Sequence, residues 1–413
     1  IEWYDFFLYG AAAALIFPTA FFGEMPPTTA LLLSLLTFAA GFIARPIGGI
    51  IFGHFGDKVG RKKTLISALM LMGISSTLIG LLPTYAMIGV AAPILLTSLR
   101  FAQGLAIGGQ WGGAMLLVTE SAPSNQRGYY GAFAQAGAPI GVILANLALI
   151  ITSALVSEEF FNTWGWRIPF LASAVLILIS MYIQLNLEDT DAFKALVDNK
   201  GVQSDENIKK SPVIEAIKKY PKRIFLAAGA FLSVQVTFYI LIAFMLAYGV
   251  TSANMARDDM LAAVLIASAI MVPIQFVFSS YSDRHGRKGI FMLGAVLTGI
   301  WAFAIFPLVD TGNFYLIVLA ITGGLVFLAM MYGPQAAFFT ELFSTEVRYS
   351  GATLGYQFGA IVGGAFAPTI AVKLWTEFDI IWVSAYIALA SLLTLISVMA
   401  LTETYQSDLN NTD

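Results

Sequence analysis

Twelve stretches of about 20 apolar residues, the length a helix needs to cross a bilayer at about 1.5 Å per residue, recur along the chain between short polar breaks. They run over 1–22, 29–53, 64–82, 94–118, 129–153, 168–187, 224–249, 260–281, 290–309, 314–340, 351–372 and 380–402. The pattern predicts an all-α membrane protein of twelve transmembrane helices, with Pro93, Pro169 and Pro221 near helix starts, where a missing N–H is tolerated. The first stretch opens at Ile1 in apolar sequence with no basic flank, and reads as a first helix cut short at its start rather than a signal peptide.

Loop charge sets the expected orientation. Of the 22 Lys and Arg residues, 17 fall in the loops after helices 2, 4, 6, 8 and 10, while Arg167, Arg257 and Lys373 lie at the opposite face and Arg45 and Arg100 within spans. The positive-inside rule then places the even loops and both termini in the cytoplasm. The longest polar segment, 188–222, carries eight of those basic residues when Arg223 at its end is included. It separates six spans from six and reads as a solvated linker. The expected domains are therefore a bundle over 1–187, a linker over 188–222, a bundle over 223–402 and a tail over 403–413.

Composition agrees with this picture and removes alternatives. The 413 residues are 58% hydrophobic and 11% charged, with a mean hydropathy of +0.79. A soluble chain carries about 25% charge. The net charge of −3 and the lack of a basic stripe argue against a nucleic-acid partner. With no cysteine and only His54 and His285, thiol chemistry and a histidine metal site are excluded. Neither a phosphate-binding G-x-x-x-x-G-K-[ST] loop nor a filter loop is visible, and helix-borne catalytic clusters are lacking. No metal, cofactor or enzymatic activity is expected.

The two halves repeat each other. Asp57, Gly60, Arg61 and Lys62 recur as Asp283, Gly286, Arg287 and Lys288, 226 residues on. Glu120 and Arg127 recur as Glu341 and Arg348, 221 residues on. Two matches at nearly one offset describe a duplicated six-helix unit, the architecture of many secondary transporters.

These residues carry a resemblance. The Asp-Lys/Arg-x-Gly-Arg-Lys loop of each half resembles the hallmark loop of the major facilitator superfamily, and Arg100 with Gln103-Gly104 resembles its helix-4 motif. Glu2-Trp3-Tyr4-Asp5-Phe6, Ala44-Arg45-Pro46-Ile47-Gly48-Gly49 and Gly108-Gly109-Gln110-Trp111-Gly112-Gly113 resemble the metabolite:proton symporters, nearest their shikimate-type branch. So do Trp164 to Phe170 and Glu341 to Gly351. The resemblance spans essentially the whole chain. It implies two pseudo-symmetric six-helix bundles, alternating access, proton coupling and residence in a bacterial inner membrane. The family commonly has Glu where this chain has Gln110, a side chain that copies a protonated glutamate but cannot titrate. The tail also lacks the long heptad extension of the proline/betaine branch.

Candidate chemistry follows by elimination, because ionisable groups in a bilayer are expensive. Of 25 acidic residues only Glu2 and Asp5 lie inside a span, and with Tyr9 they share one helix face at i, i+3, i+7. Asp5 and Arg45 lie at depths that differ by about 2 Å, so an ion pair is expected, serving either proton coupling or the pinning of helix 1 to helix 2. Arg100, with Gln103 and Trp111 on its face, either holds a substrate carboxylate or is satisfied within its own bundle. Gln110 lies at a height from which it could approach Arg45. Gln235, Tyr239, Tyr332, Gln335, Tyr356 and Gln357 either line the path of a polar solute or bond helix to helix. Gating is assigned to Asp57, Arg61, Glu120, Arg127, Asp283, Arg287, Glu341 and Arg348, by analogy with the family; His54 and His285 read as solvated. The expectation is a monomer that moves a small organic acid, such as shikimate or a dicarboxylate, with protons across the lipid bilayer. The alternatives are a zwitterionic osmolyte (proline or betaine), or transport without proton coupling.

Overall fold

The computed structural model describes residues 2–59, 61–108, 115, 118–186, 212–344 and 347–406, with the side chains of 53–59, 61, 62, 65, 184, 212 and 349 outside that description. The first half contributes α1 (Glu2–Leu15, continued as Phe17–Phe22), α2 (Pro27–Val59), α3 (Arg61–Leu81), α4 (Ala91–Gly108), α5 (Arg127–Leu155) and α6 (Ile168–Asn186). The second half contributes α7 (Pro221–Tyr239, Ile240–Phe244 and Met245–Thr251), α8 (Arg257–His285), α9 (Arg287–Asp310), α10 (Phe314–Glu341), α11 (Arg348–Gly359, Ala360–Ala365 and Ala367–Glu377) and α12 (Ile381–Ala400). Ten of the described helices are long and apolar enough to span a membrane, and Ile66–Leu81 of α3 is a shorter apolar segment. Together with α1 they match the twelve expected spans. Large apolar side chains such as Ile50, Leu155, Phe225, Ile300 and Val362 stand exposed on the flanks, as a lipid-facing surface requires.

Local breaks have identifiable causes. Pro18 lies in the first turn of Phe17–Phe22, and the helix jogs at Ile16. α7 and α11 each contain a wide π-helical turn, at Ile240–Phe244 and Ala360–Ala365. Gly363 and Gly364 sit in the second of these turns. A Cβ at Gly364 would meet the rings of Phe42 and Tyr239 at 3.0 Å, so the glycine lets α2 and α7 close on α11. Arg167 donates to the carbonyls of Gly80 (3.2 Å) and Leu82 (2.6 Å), satisfying the end of α3.

Packing assembles the halves and then joins them. In the first half α2 lies along α4, α3 along α6 and α1 along α5; in the second, α10 packs on α8 and α9, and α12 on α7 and α9. Across the divide, α5 packs on α8 and α10, α2 on α11, and α1 on α7. The elements that meet across the divide are thus α1, α2 and α5 from the first half and α7, α8, α10 and α11 from the second.

Candidate functional site

The centre is an aromatic nest around two arginines. Arg45, on α2, and Arg100, on α4, are both almost completely buried. The Phe6 ring of α1 lies under both guanidinium groups, 4.4 Å from that of Arg45 and 4.0 Å from that of Arg100. Phe42 faces Arg45 at 4.5 Å, and Tyr9 and Phe38 face Arg100 at 4.5 and 4.6 Å. Such contacts contribute about 0.5–2 kcal/mol each, against a desolvation cost of several kcal/mol per buried ion. The balance must come from hydrogen bonds, and these are incomplete.

Arg100 Nη1 donates to Gln103 Oε1 at 3.0 Å and, at 3.5 Å, to the Phe6 carbonyl, while its Nε reaches the Phe38 carbonyl at 3.5 Å. Its Nη2 has no partner, nor do Nε and Nη2 of Arg45. Arg45 is within hydrogen-bonding reach of the Tyr239 and Tyr356 hydroxyls from the second half. Between the halves lies a cavity of about 10 Å³, lined by Trp3 and Phe7 from α1, Gln235, Phe238 and Tyr239 from α7, Tyr332 from α10 and Tyr356 from α11, among others. That is room for about one water, so this conformer is closed around its centre.

The expected Asp5–Arg45 pair does not form. Among the described residues no ion pair joins Glu2 or Asp5 to a basic side chain. Successive residues on a helix point about 100° apart, so Phe6 faces the arginines while Asp5 turns toward α3 and α6. There Asp5 Oδ1 accepts from the Ser173 hydroxyl, and the Ser76 hydroxyl is within reach. Glu2 stays half-buried at the start of α1. Tyr9 shares its hydroxyl with Thr37 at 2.6 Å.

The remaining candidates divide. Gln235, Tyr239, Tyr332 and Tyr356 are brought to one cavity, and the Tyr356 ring packs tilted against Phe231, centroids 4.5 Å apart. Gln335 and Gln357 are buried with Oε1 unpaired, but neither lines the cavity. Gln110 and Trp111 lie outside the described residues, as do the side chains of Asp57 and Arg61, the linker up to residue 211 and the tail beyond 406. Sequence reasoning missed Trp3, Phe7, Phe38, Phe42 and Phe238. Phe38, Phe42 and Arg45, at i, i+4, i+7 on α2, were the available signal.

At one face, contacts between the halves centre on Asp283. Its carboxylate accepts from the backbone N–H groups of Gly128 and Tyr129, both at 2.8 Å, in the first turn of α5. Arg287 donates to Asp283 at 2.6 Å and to Glu341 at 2.9 and 3.2 Å. Arg127 approaches Glu341 at 3.8 Å, and Arg348 approaches Glu120 at 3.3 Å. Glu403, beyond α12, accepts from Arg287 N and Lys288 N at 3.0 and 2.9 Å, and Thr404 donates to Glu341 at 2.8 Å. The tail is therefore tied to the same cluster, which its polar composition did not reveal. Asp283→Asn removes a charge from these bonds at constant shape and is expected to cost this closed face about 1.5–3 kcal/mol. The check is thiol labelling of a cysteine placed at Ala132, buried in this seam, which should speed up in the variant.

At the opposite face Arg257 clamps Glu158 through two bonds of 3.0 and 3.1 Å over the Phe161 ring, and Ser153 bonds Asp258. Between the two faces the seam is neutral. Asn146 donates to the Leu261 carbonyl at 3.1 Å, Gln135 to that of Tyr332 at 3.1 Å and Gln275 to that of Ala132 at 3.3 Å.

Comparison with known proteins places this arrangement. The profile of the Major Facilitator Superfamily matches residues 3–353. The chain is 40% identical to the inner membrane metabolite transport protein YhjE of Escherichia coli (strain K12), over 99% of this chain and 93% of that one. It is 37% identical to the shikimate transporter of Escherichia coli (strain K12), over 94% and 88%. It is 32% identical to the proline/betaine transporter of Salmonella typhimurium (strain LT2), over 98% and 81%. Among solved structures, a D-xylose-proton symporter superposes with a TM-score of 0.74 at 16% identity, covering 98% of each chain. An inward open xylose transporter XylE from E. coli gives 0.71 at 18% identity, over 99% and 96%. With its twelve helices in two joined halves and a closed centre between them, the chain is a multi-pass metabolite transporter, not an enzyme, and belongs to the Major Facilitator Superfamily.

Proposed function

We propose that the protein is a proton-coupled symporter of a small organic acid, working by alternating access in a bacterial inner membrane with both termini cytoplasmic. The observation that carries this reading is the pair of buried arginines with unpaired guanidinium nitrogens, of which Arg45 reaches Tyr239 and Tyr356 in the wall of the cavity at the junction of the halves. Donors left dry and unpaired cost free energy until an acceptor reaches them, and a carboxylate matches a guanidinium fork in charge and shape. Asp5, fully buried in α1, is the proton site of this reading; the Asp283 and Arg257 clusters are its two gates. The shikimate transporter relative favours a hydroxylated ring acid as substrate.

A second reading has its own support. The cavity walls are largely aromatic, a lining that also suits the cationic head of a betaine. Uptake into vesicles separates the two. With an inward proton gradient, shikimate should accumulate, an uncoupler should abolish accumulation, and glycine betaine should not compete. Accumulation of betaine in place of shikimate would move the assignment to osmolytes; uptake indifferent to the uncoupler would remove proton coupling. Orientation has a separate check. Cysteines placed at residue 200 and at residue 159 should label from the cytoplasmic and outer sides respectively.

A further inference from the structure

Just before α7 the chain forms one more helix, Pro212–Lys219, whose sides differ sharply. At about 100° per residue, Val213, Ile217 and Ile214 share one arc about 100° wide. All three are exposed, at 37, 46 and 54%. Ala216, beside Val213 on the helical wheel, is completely buried, and the helix packs on the Arg348–Gly359 segment of α11. Glu215, the one acid of the helix, points about 160° away from Ile217. Lys218 borders the apolar arc one turn from Ile214, and Lys219 and Lys222 follow; all three are exposed.

The orientation of this helix is fixed by what comes after it. Tyr220 packs against Phe343, ring centroids 6.0 Å apart. Arg223 donates to the Leu342 carbonyl at 2.9 Å and lies over the Tyr220 ring at 5.0 Å. Packing therefore turns the apolar arc outward. Two residues past Arg223, α7 presents Phe225, 77% exposed, on its lipid-facing flank. The helix thus stands at the height where a span meets the membrane surface.

We propose that Pro212–Lys219 is an interfacial helix seated on anionic phospholipid, its apolar arc among the upper acyl chains and its lysines on the headgroup phosphates. An apolar arc bordered by lysines, with the acid on the far side, is the pattern of helices that lie in the plane of a bilayer surface. Lysine stems reach along such a surface while their ammonium groups stay at headgroup level. Among the described residues Lys218 and Lys222 form no ion pair. Lys219 lies over the Tyr220 ring at 5.4 Å and adds to the same positive edge. This edge stands out in a chain whose net charge is −3. A protein partner fits less well, since three part-exposed side chains fall far short of the roughly 800 Å² per side of a stable interface. The assignment is independent of what the protein transports; only the leaflet, the cytoplasmic one, rests on the orientation proposed above.

The chain has no cysteine, so Ile214→Cys takes a single fluorescent label one turn from Lys218. The labelled full chain is placed in vesicles of phosphatidylcholine and phosphatidylglycerol in which one lipid or the other carries brominated, quenching acyl chains. The ratio of the two quenching strengths gives the relative affinity of phosphatidylglycerol over phosphatidylcholine beside the helix. Both leaflets have the same composition, so the result does not depend on orientation. A lysine near an anionic surface is worth about fivefold, so a ratio of about 5–25 is expected. The combined change Lys218→Gln, Lys219→Gln and Lys222→Gln should bring it to about 1–2. A label at Tyr315→Cys, exposed at the opposite face, should give about 1 in both proteins. Equal quenching by the two lipids at residue 214, or a preference that survives the lysine changes, overturns the headgroup assignment. Absence of quenching by either lipid overturns the bilayer seat altogether. Loss of the preference on adding inorganic phosphate at constant ionic strength would overturn it in favour of a soluble anion.

Discussion

Asp5→Asn is expected to reduce gradient-driven accumulation of substrate to simple equilibration. One proton moving down a pH gradient equivalent to 100 mV supplies about 2.3 kcal/mol, enough for a concentration ratio of about 50 for a singly charged acid moved with it. Asparagine keeps the size of aspartate and can still accept from Ser173, but it carries no proton between the two sides. The ratio should therefore fall from about 50 toward about 1 under the same imposed pH gradient. Exchange of labelled for unlabelled substrate should persist, since it needs rocking of the loaded carrier and no net proton movement. Accumulation at the wild-type level would remove Asp5 from the coupling step and leave Glu2, half-buried one turn earlier, as the other acid within a span.

Gly104→Val is expected to prevent folding outright. A Cβ at Gly104 would lie 2.1 Å from the Gly41 carbonyl oxygen, and one at Gly108 would lie 1.9 Å from that of Arg45. On α2, a Cβ at Gly48 would lie 2.0 Å from the Leu105 carbonyl. α2 and α4 therefore meet backbone to backbone, with small residues allowing the approach. The same seam carries Arg45 and Arg100, so spreading it also pulls the guanidinium groups off Phe6. A cost of at least about 3 kcal/mol is expected, since overpacking here presses on backbone, which cannot rotate away. Size-exclusion profiles and melting temperature in detergent provide the measurement. Gly289→Ala is the contrasting case. A Cβ there meets nothing within 4 Å, and replacing glycine early in α9 should leave stability unchanged or raise it by up to about 1 kcal/mol.

How much of this was legible in the sequence differs by kind of information. Span positions were, because hydropathy reports which residues leave water regardless of partners; α8 and α10 lie close to where the apolar runs place them. The duplication was legible because Asp57 and Asp283 keep their glycine and basic neighbours at one spacing. Partnerships were not. Depth along a helix axis puts Asp5 and Arg45 level, but level is not facing, and the turn from Asp5 to Phe6 sends the acid toward Ser173 instead. The π turns of α7 and α11 were equally hidden, since Ile240–Phe244 has ordinary helix-forming composition. Glu403 looked like tail charge, and only the fold brings it to the first turn of α9.

The neutral seam between α5, α8 and α10 has a kinetic consequence. Side-chain amides of Asn146, Gln135 and Gln275 hold backbone carbonyls that helical bonding already engages. Each such bond contributes only about 0.5–1.5 kcal/mol, and along a helix another carbonyl arrives every 1.5 Å or so of rise. An amide that lets go of one finds the next after a short slide. The middle of the interface thus offers friction rather than a lock: the ionic clusters at either end govern how long each closed face persists, while the amides allow the passage between them to proceed as a series of low steps.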